Sequence, residues 1–299
     1  IMTKMVDRDQ AAGLRSLMIC QAPETARVFT IAGGKARVGK TSVVINLAAA
    51  LAREGQRVLL IDENPCHNNI CSNLGLQARF DLLHVINRDK TLDQVMLQGP
   101  NNVTIVSAMR GIQVLNKLNP DEQDWLIKSF SEFTRNVDVV LIDTAMTGNT
   151  HVLPLSLASE QVMIVISGSA GSMTGAYALI KIMSQEYAKH HFLILVNKVD
   201  SESEALAIYH NLFMVANQYL TVTLEFIGYV YSDEKLRSAT QLRRSVIEAF
   251  PVSLASICFR QLAERVSRSS RPDKSPGGIE NFMQRLIRMS HLSMENFTV

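Results

Sequence analysis

One stretch constrains this chain more than any other: Gly34-Lys35-Ala36-Arg37-Val38-Gly39-Lys40-Thr41, set between an apolar run, Val28–Ala32, and a helical pattern, Ser42–Glu54. Glycines let backbone N–H groups close around phosphate oxygens. A lysine after the second glycine neutralises β/γ charge, and the hydroxyl that follows it can ligate Mg²⁺. A strand–loop–helix context is what this chemistry requires, because the helix start supplies the free amides. The spacing therefore predicts phosphate binding by Gly34, Lys35, Ala36, Arg37, Val38, Gly39, Lys40, Thr41 and Ser42, with Thr41 as a metal ligand.

The rest of the chain fits a fold that presents such a loop. Val28–Ala32, Arg57–Ile61, Val103–Val106, Val137–Ile142, Val162–Ser167, Phe192–Val196 and Leu224–Tyr229 read as strands. Most are continuously apolar rather than alternating, as strands covered on both faces must be. Between them, Ser42–Glu54, Asp121–Arg135, Met173–Lys189 and Glu204–Tyr219 carry helical spacing with few breakers. The expected fold is α/β, with a doubly wound, mainly parallel sheet.

Of the 299 residues, 47% are apolar and 19% charged, which excludes a disordered or fibrous chain and leaves room for one large core. A formal charge of +2 is too small for a surface that tracks nucleic acid throughout. Cys66, His67 and Cys71 lie close in sequence but lack the second half of a metal-ligand pattern, and four dispersed cysteines suit a reducing cytoplasm. No stretch has the apolar length of a spanning helix.

Four segments are expected: 1–26 before the first strand, a nucleotide-binding domain at 27–266, a Ser/Pro/Gly-rich linker at 267–278, and a tail at 279–299. In the tail, Ile279, Phe282, Met283, Leu286 and Ile287 form one helical stripe flanked by Arg285 and Arg288. Ile279–Ser290 therefore reads as an amphipathic helix. Its apolar stripe suits either an anionic membrane surface or the chain's own domain or a partner.

The lysine inside the loop, Lys35, resembles the signature of the deviant Walker A ATPases, the MinD/ParA class. Asp62 in LLIDEN and Asp143 in VVLIDT stand where that family has its switch I and switch II aspartates. Asn197 in ILVNKVD matches its adenine-reading position. The resemblance implies a P-loop NTPase that binds ATP and Mg²⁺ and forms an ATP-dependent homodimer in which Lys35 reaches the partner's nucleotide. It gives catalytic roles to Lys35, Asp62 and Asp143, and metal contacts to Thr41, Asp62 and Asp143. Read locally, each aspartate also suits a turn or helix cap, and Asn197 a turn.

Outside these motifs the similarity narrows to flagellar-number regulators of the FlhG/FleN type. DQAAGLR at Asp9–Arg15 resembles their activator segment, and Phe80–Val95, Gly175–Tyr187 and Ile227–Ser256 are also similar. Locally, DQAAGLR also reads as a capped helix turn. The resemblance implies an FlhF-type GTPase as partner of Asp9–Arg15, a FleQ-type flagellar activator as a second partner, and cycling between the cytoplasm and the membrane. Two other readings remain: a catalytically inactive scaffold, and a ParA-type partitioning ATPase using Lys235, Arg237, Arg243 and Arg244. A solvated helix face accounts for that cluster, so DNA is not the expected partner.

Three departures fall on one centre. Ala36 and Arg37 replace the family's loop glycines, Asn64 replaces its second switch I aspartate, and DTAMTG replaces its usual switch II sequence. A side chain at Arg37 is strained if φ is positive, and an amide at Asn64 cannot take a proton from water. The expectation is that nucleotide binds while hydrolysis is slow or impaired.

Overall fold

The computed structural model describes residues 26–64, 69–145, 154–269 and 278–295. Asp9–Arg15, Cys66 and His67 lie outside them. Within them, β1 (Arg27–Ala32), β2 (Val58–Asp62), β3 (Leu97–Gln98), β4 (Thr104–Ser107), β5 (Val139–Asp143), β6 (Gln161–Ile166), β7 (His191–Val199) and β8 (Thr223–Tyr231) form one sheet. Their order is β3-β4-β2-β5-β1-β6-β7-β8.

The ladders are parallel except where the two-residue β3 pairs antiparallel with β4. The continuous apolar runs have their cause here. Every residue of β2, β5 and β6 is buried, because helices cover both faces.

The longer helices are α1 (Lys40–Arg53), α2 (Pro120–Thr134), α3 (Ala170–Tyr187), α4 (Glu202–Tyr219), α5 (Glu234–Gln241), α6 (Leu254–Arg268) and α7 (Ile279–Glu295). Alternate residues of β1 point to opposite layers. Phe29 and Ile31 join Leu47 and Leu51 of α1 and Phe259 of α6, whereas Val28 joins Phe130 of α2 and Phe282 of α7. Ala32 packs with Ile180 of α3 and Leu212 of α4.

The tail helix forms part of the same core. Ile279, Phe282, Met283, Leu286 and Ile287 are each no more than 5% exposed. The helix rests on α2 and the short helix Pro154–Ala158. Gly278 N–H donates to Glu160 Oε1 at 2.9 Å, which fixes where the helix begins. In this structure the apolar stripe therefore faces the chain's own domain. Burying a phenylalanine such as Phe282 contributes roughly 1.5–3 kcal/mol.

β1 lies between β5 and β6, and the chain winds from it to both sides. In a doubly wound sheet this switch point opens a crevice at the carboxyl ends of the strands. The loop from Gly34 to Gly39 leaves β1 at that crevice and enters α1.

Candidate phosphate and metal site

The loop is an open turn held in place by its backbone. Gly39 takes φ +101°, and its neighbour Lys40 begins α1, so the helix's first amides face the crevice. Gly34 lies against α3 so closely that an added Cβ would be 1.8 Å from the carbonyl carbon of Gly175. Arg37 sits in the left-handed region at φ +63°, where a residue with a Cβ is strained. That geometry costs about 1 kcal/mol for a residue with a Cβ.

A cavity of about 460 Å³ opens beside the loop, bordered by Arg37, Lys40, Thr41, Asn64 and Thr144. A larger one, about 660 Å³, is lined by Arg57, Thr91, Trp125 and Phe133 near the amino ends of β2 and β4. It contains none of the predicted site residues. The smaller cavity is where the chemistry converges.

Lys40 is buried and its Nζ donates to Thr144 O at 2.7 Å. Thr41 Oγ1 donates to Asp143 Oδ2 at 2.6 Å. Asp62 accepts the N–H groups of Asn64 at 2.9 Å and Ile70 at 2.8 Å, fixing its carboxylate at the end of β2. The parallel β2–β5 register sets Asp62 beside Asp143. Residues far apart in sequence thus meet at one point, as the spacing of strand ends requires.

The structure adds Glu63, which sequence reasoning missed. It is 5% exposed, and its Oε2 accepts the Ala145 N–H at 3.0 Å, tying the strand end after β2 to the one after β5. The signal was present: a second acid follows Asp62 where the buried run should end. Desolvation pushes both Asp62 and Glu63 up to about 7, and Asp143 up to about 6. For Asp62 the Asp143 charge adds to the effect. Burial also lowers Lys40 against the pull of Asp143 and Glu63.

Asn197 does not face open space. It is buried, and its Nδ2 donates to Val38 O at 2.8 Å while its Oδ1 accepts the Lys198 N–H. Its amide clamps the loop. Lys35 is exposed, and its side chain lies across Gly171 at the start of α3. The basic cluster is partly engaged within the chain: Arg244 pairs with Glu248 at 2.8 Å, and Lys235 lies over the Phe250 ring.

The chain is similar to known proteins along most of its length. The family model described as an AAA domain matches residues 26–194. The chain is 37% identical to the antiactivator FleN of Pseudomonas aeruginosa, over 88% of its own length and 94% of that protein. The chain belongs to this family, in its MinD-like FleN group.

A second flagellar relative, the flagellum site-determining protein YlxH of Helicobacter pylori, is 24% identical over 94% of this chain and 98% of that protein. Among solved structures, the MinD cell division protein of Aquifex aeolicus superposes with a TM-score of 0.64 at 21% identity, covering 83% of this chain and all of that one. MinD of Pyrococcus horikoshii, complexed with Mg-ADP, gives 0.63 at 22% identity, covering 81% and 96%. The MinD-like fold is thus established for the chain.

Whether a cation fits can be judged from the oxygens. Asp143 Oδ1 is buried without a hydrogen-bond partner, an orphaned acceptor next to the Thr41 hydroxyl. A hard, oxygen-seeking ion such as Mg²⁺ suits that atom, with phosphate and water completing its shell. No trio of His, Cys, Asp or Glu among the described residues forms a metal site without such help. No described helix is long and apolar enough to cross a membrane.

Proposed function

We propose that the chain is a Mg²⁺- and nucleoside triphosphate-dependent switch that helps set the number and placement of flagella. One observation carries the proposal: Lys40, Thr41, Asp62 and Asp143 converge at a helix start beside an open cavity, in a chain that belongs to the FleN group. Lys40 would exchange Thr144 O for phosphate oxygens. Thr41 and Asp143 would hold Mg²⁺, with Asp62 acting through water. The bound metal neutralises charge on the phosphates during transfer to water.

Family resemblance implies that the nucleotide is ATP. Lys35 would serve a second copy of the chain, leaving α3 to reach the partner's phosphates. Asp9–Arg15 would engage an FlhF-type GTPase, and a FleQ-type activator would be a second partner.

Turnover is set lower than binding. Asn64 borders the cavity where a carboxylate would steer water, and an amide does this without accepting the proton. Phosphate release from Mg²⁺-ATP by the purified chain is expected to be slow, and Asn64→Asp is expected to raise it about tenfold or more. Fast wild-type release that the variant leaves unchanged would rule out an impaired centre.

The same reading gives α7 a second seat on an anionic lipid surface, with the Ile279–Ser290 stripe inserted and Arg285 and Arg288 at the headgroups. The buried stripe must first leave the domain, so nucleotide should govern the exchange. Co-sedimentation with phosphatidylglycerol-containing vesicles is expected to rise with Mg²⁺-nucleotide. Sedimentation indifferent to nucleotide would count against it.

A further inference from the structure

One peptide unit at the site is gripped at both edges by opposite charges. The Thr144 carbonyl oxygen accepts a hydrogen bond from Lys40 Nζ at 2.7 Å, and the Ala145 N–H of the same peptide donates to Glu63 Oε2 at 3.0 Å. A trans peptide points its C=O and its N–H in opposite directions, so the two bonds fix which way the unit faces. Its oxygen meets the phosphate-loop lysine and its N–H turns away.

The groups around this peptide are anchored separately. Thr144 is tied to β1, its N–H and its hydroxyl both donating to Ile31 O, at 3.4 and 2.9 Å. Glu63 extends the β2–β5 ladder by one residue, its N–H donating to Asp143 O at 3.0 Å. Lys40 and Thr144 border the cavity and Glu63 does not, so Glu63 reaches a nucleotide only through the peptide. Burial pushes its carboxyl up, while the Ala145 N–H and the Lys40 charge pull it back. An ammonium and a backbone amide are also the donors that a phosphate takes, which makes Glu63 a competitor for them.

Triphosphate and diphosphate ask different things of this peptide. The loop amides take the inner phosphates, and a third phosphate extends past them to Lys40 and the end of β5, where Thr144 stands. With Lys40 turned to phosphate, the Thr144 carbonyl meets phosphate oxygens, acceptor against acceptor. Turning the peptide over puts the Ala145 N–H in place of that carbonyl. The turn breaks the bond to Glu63, and a charged acceptor holds an N–H more firmly than a neutral one does.

We propose that Glu63 sets the balance between triphosphate and diphosphate: it holds the Thr144–Ala145 peptide with its carbonyl toward Lys40, and a third phosphate must turn that peptide to bind. This rests on the nucleotide switch proposed above and names the residue against which the switch senses that phosphate. Glu63 is a positioning residue, acting through the peptide. A hydrogen bond to a charged acceptor shifts an equilibrium by roughly ten- to a hundredfold, so its removal should favour the triphosphate by about tenfold.

The test uses the full chain with Mg²⁺ and fluorescent methylanthraniloyl ADP as probe, displaced by ADP or by the non-hydrolysed β,γ-imido analogue of ATP. Glu63→Ala is expected to lower the displacing concentration of the triphosphate about tenfold and that of ADP by less than about twofold. Glu63→Gln should fall between the wild type and Glu63→Ala, because its amide oxygen still accepts the Ala145 N–H without the charge. If Glu63→Ala does not fold, Glu63→Gln decides alone. A ratio of triphosphate to diphosphate affinity that the variants leave unchanged, whether both tighten, both weaken or neither moves, overturns the latch while nucleotide binding stands. If the wild-type chain does not bind the probe, both readings fall.

Discussion

Replacing Gly34 with alanine is expected to abolish nucleotide binding and to destabilise the chain by about 3 kcal/mol or more, the range of severe overpacking. The added methyl would sit 1.8 Å from the Gly175 carbonyl carbon and 2.1 Å from the Ala176 nitrogen. Both are backbone atoms of α3 and cannot rotate away. Ordinary contact lies near 3.5–4 Å, so the loop and the helix must part by about 2 Å. Displacing catalytic or binding groups by even ~1 Å costs about a hundredfold.

Gly55→Ala separates this clash from backbone strain. Gly55 takes φ +87°, yet nothing lies within 4 Å of its added Cβ. It should lose only about 1 kcal/mol and retain binding. Thermal melts and fluorescent-nucleotide titrations of the two variants provide the comparison. A Gly34→Ala chain that binds nucleotide as the wild type does would contradict the packing described here.

The Gly34–Gly175 contact also shows what a sequence conceals. Gly34 could be read from spacing, because phosphate chemistry needs a glycine there whatever surrounds it. Gly175 could not, since its partner lies far away along the chain and helix propensity disfavours it at that point. Strands were legible for the opposite reason. Burial on both faces leaves a continuous apolar run that needs no knowledge of the partner strand.

β3 left no such trace, being two residues long at an edge. Asn197 read locally as a turn residue, and the structure shows its amide clamped on Val38 O. Its role depends on a loop folded against it, which one-dimensional pattern cannot carry. The apolar stripe of α7 was legible as a stripe, but not what covers it. The same spacing of apolar residues serves a helix lying on lipid and a helix lying on α2.

The three carboxylates around Lys40 predict a pH dependence opposite to that of most acid-sensitive proteins. In the folded chain Asp62 and Glu63 titrate near 7 and Asp143 near 6, against ordinary values of 3.8 and 4.5. The folded state therefore holds protons that the unfolded state releases. The resulting stability is fully present below about pH 4 and is lost as pH rises through 6 to 7. A tenfold difference in proton affinity between the two states is worth about 1.4 kcal/mol, and mutual repulsion keeps the three from adding fully. A loss on the order of 4 kcal/mol between pH 5.5 and 8 follows for the nucleotide-free chain, or roughly 10 °C in melting temperature.

Mg²⁺ with nucleotide should reverse the slope. The cation at the orphaned Asp143 oxygen favours the ionised carboxylates, so binding pulls their titration down and stabilises most at high pH. Glu63→Gln isolates one contribution, because the amide oxygen can still accept the Ala145 N–H while the titrating group is gone. Melting curves from pH 5.5 to 8.5, with and without Mg²⁺-nucleotide, should show a falling line for the free wild type, a flatter one for Glu63→Gln and a gain with ligand that grows with pH. A free chain whose stability rises over that range would mean that these carboxylates are ionised and solvated. The closed arrangement of Lys40, Thr144, Glu63 and Ala145 would then not describe the chain in solution.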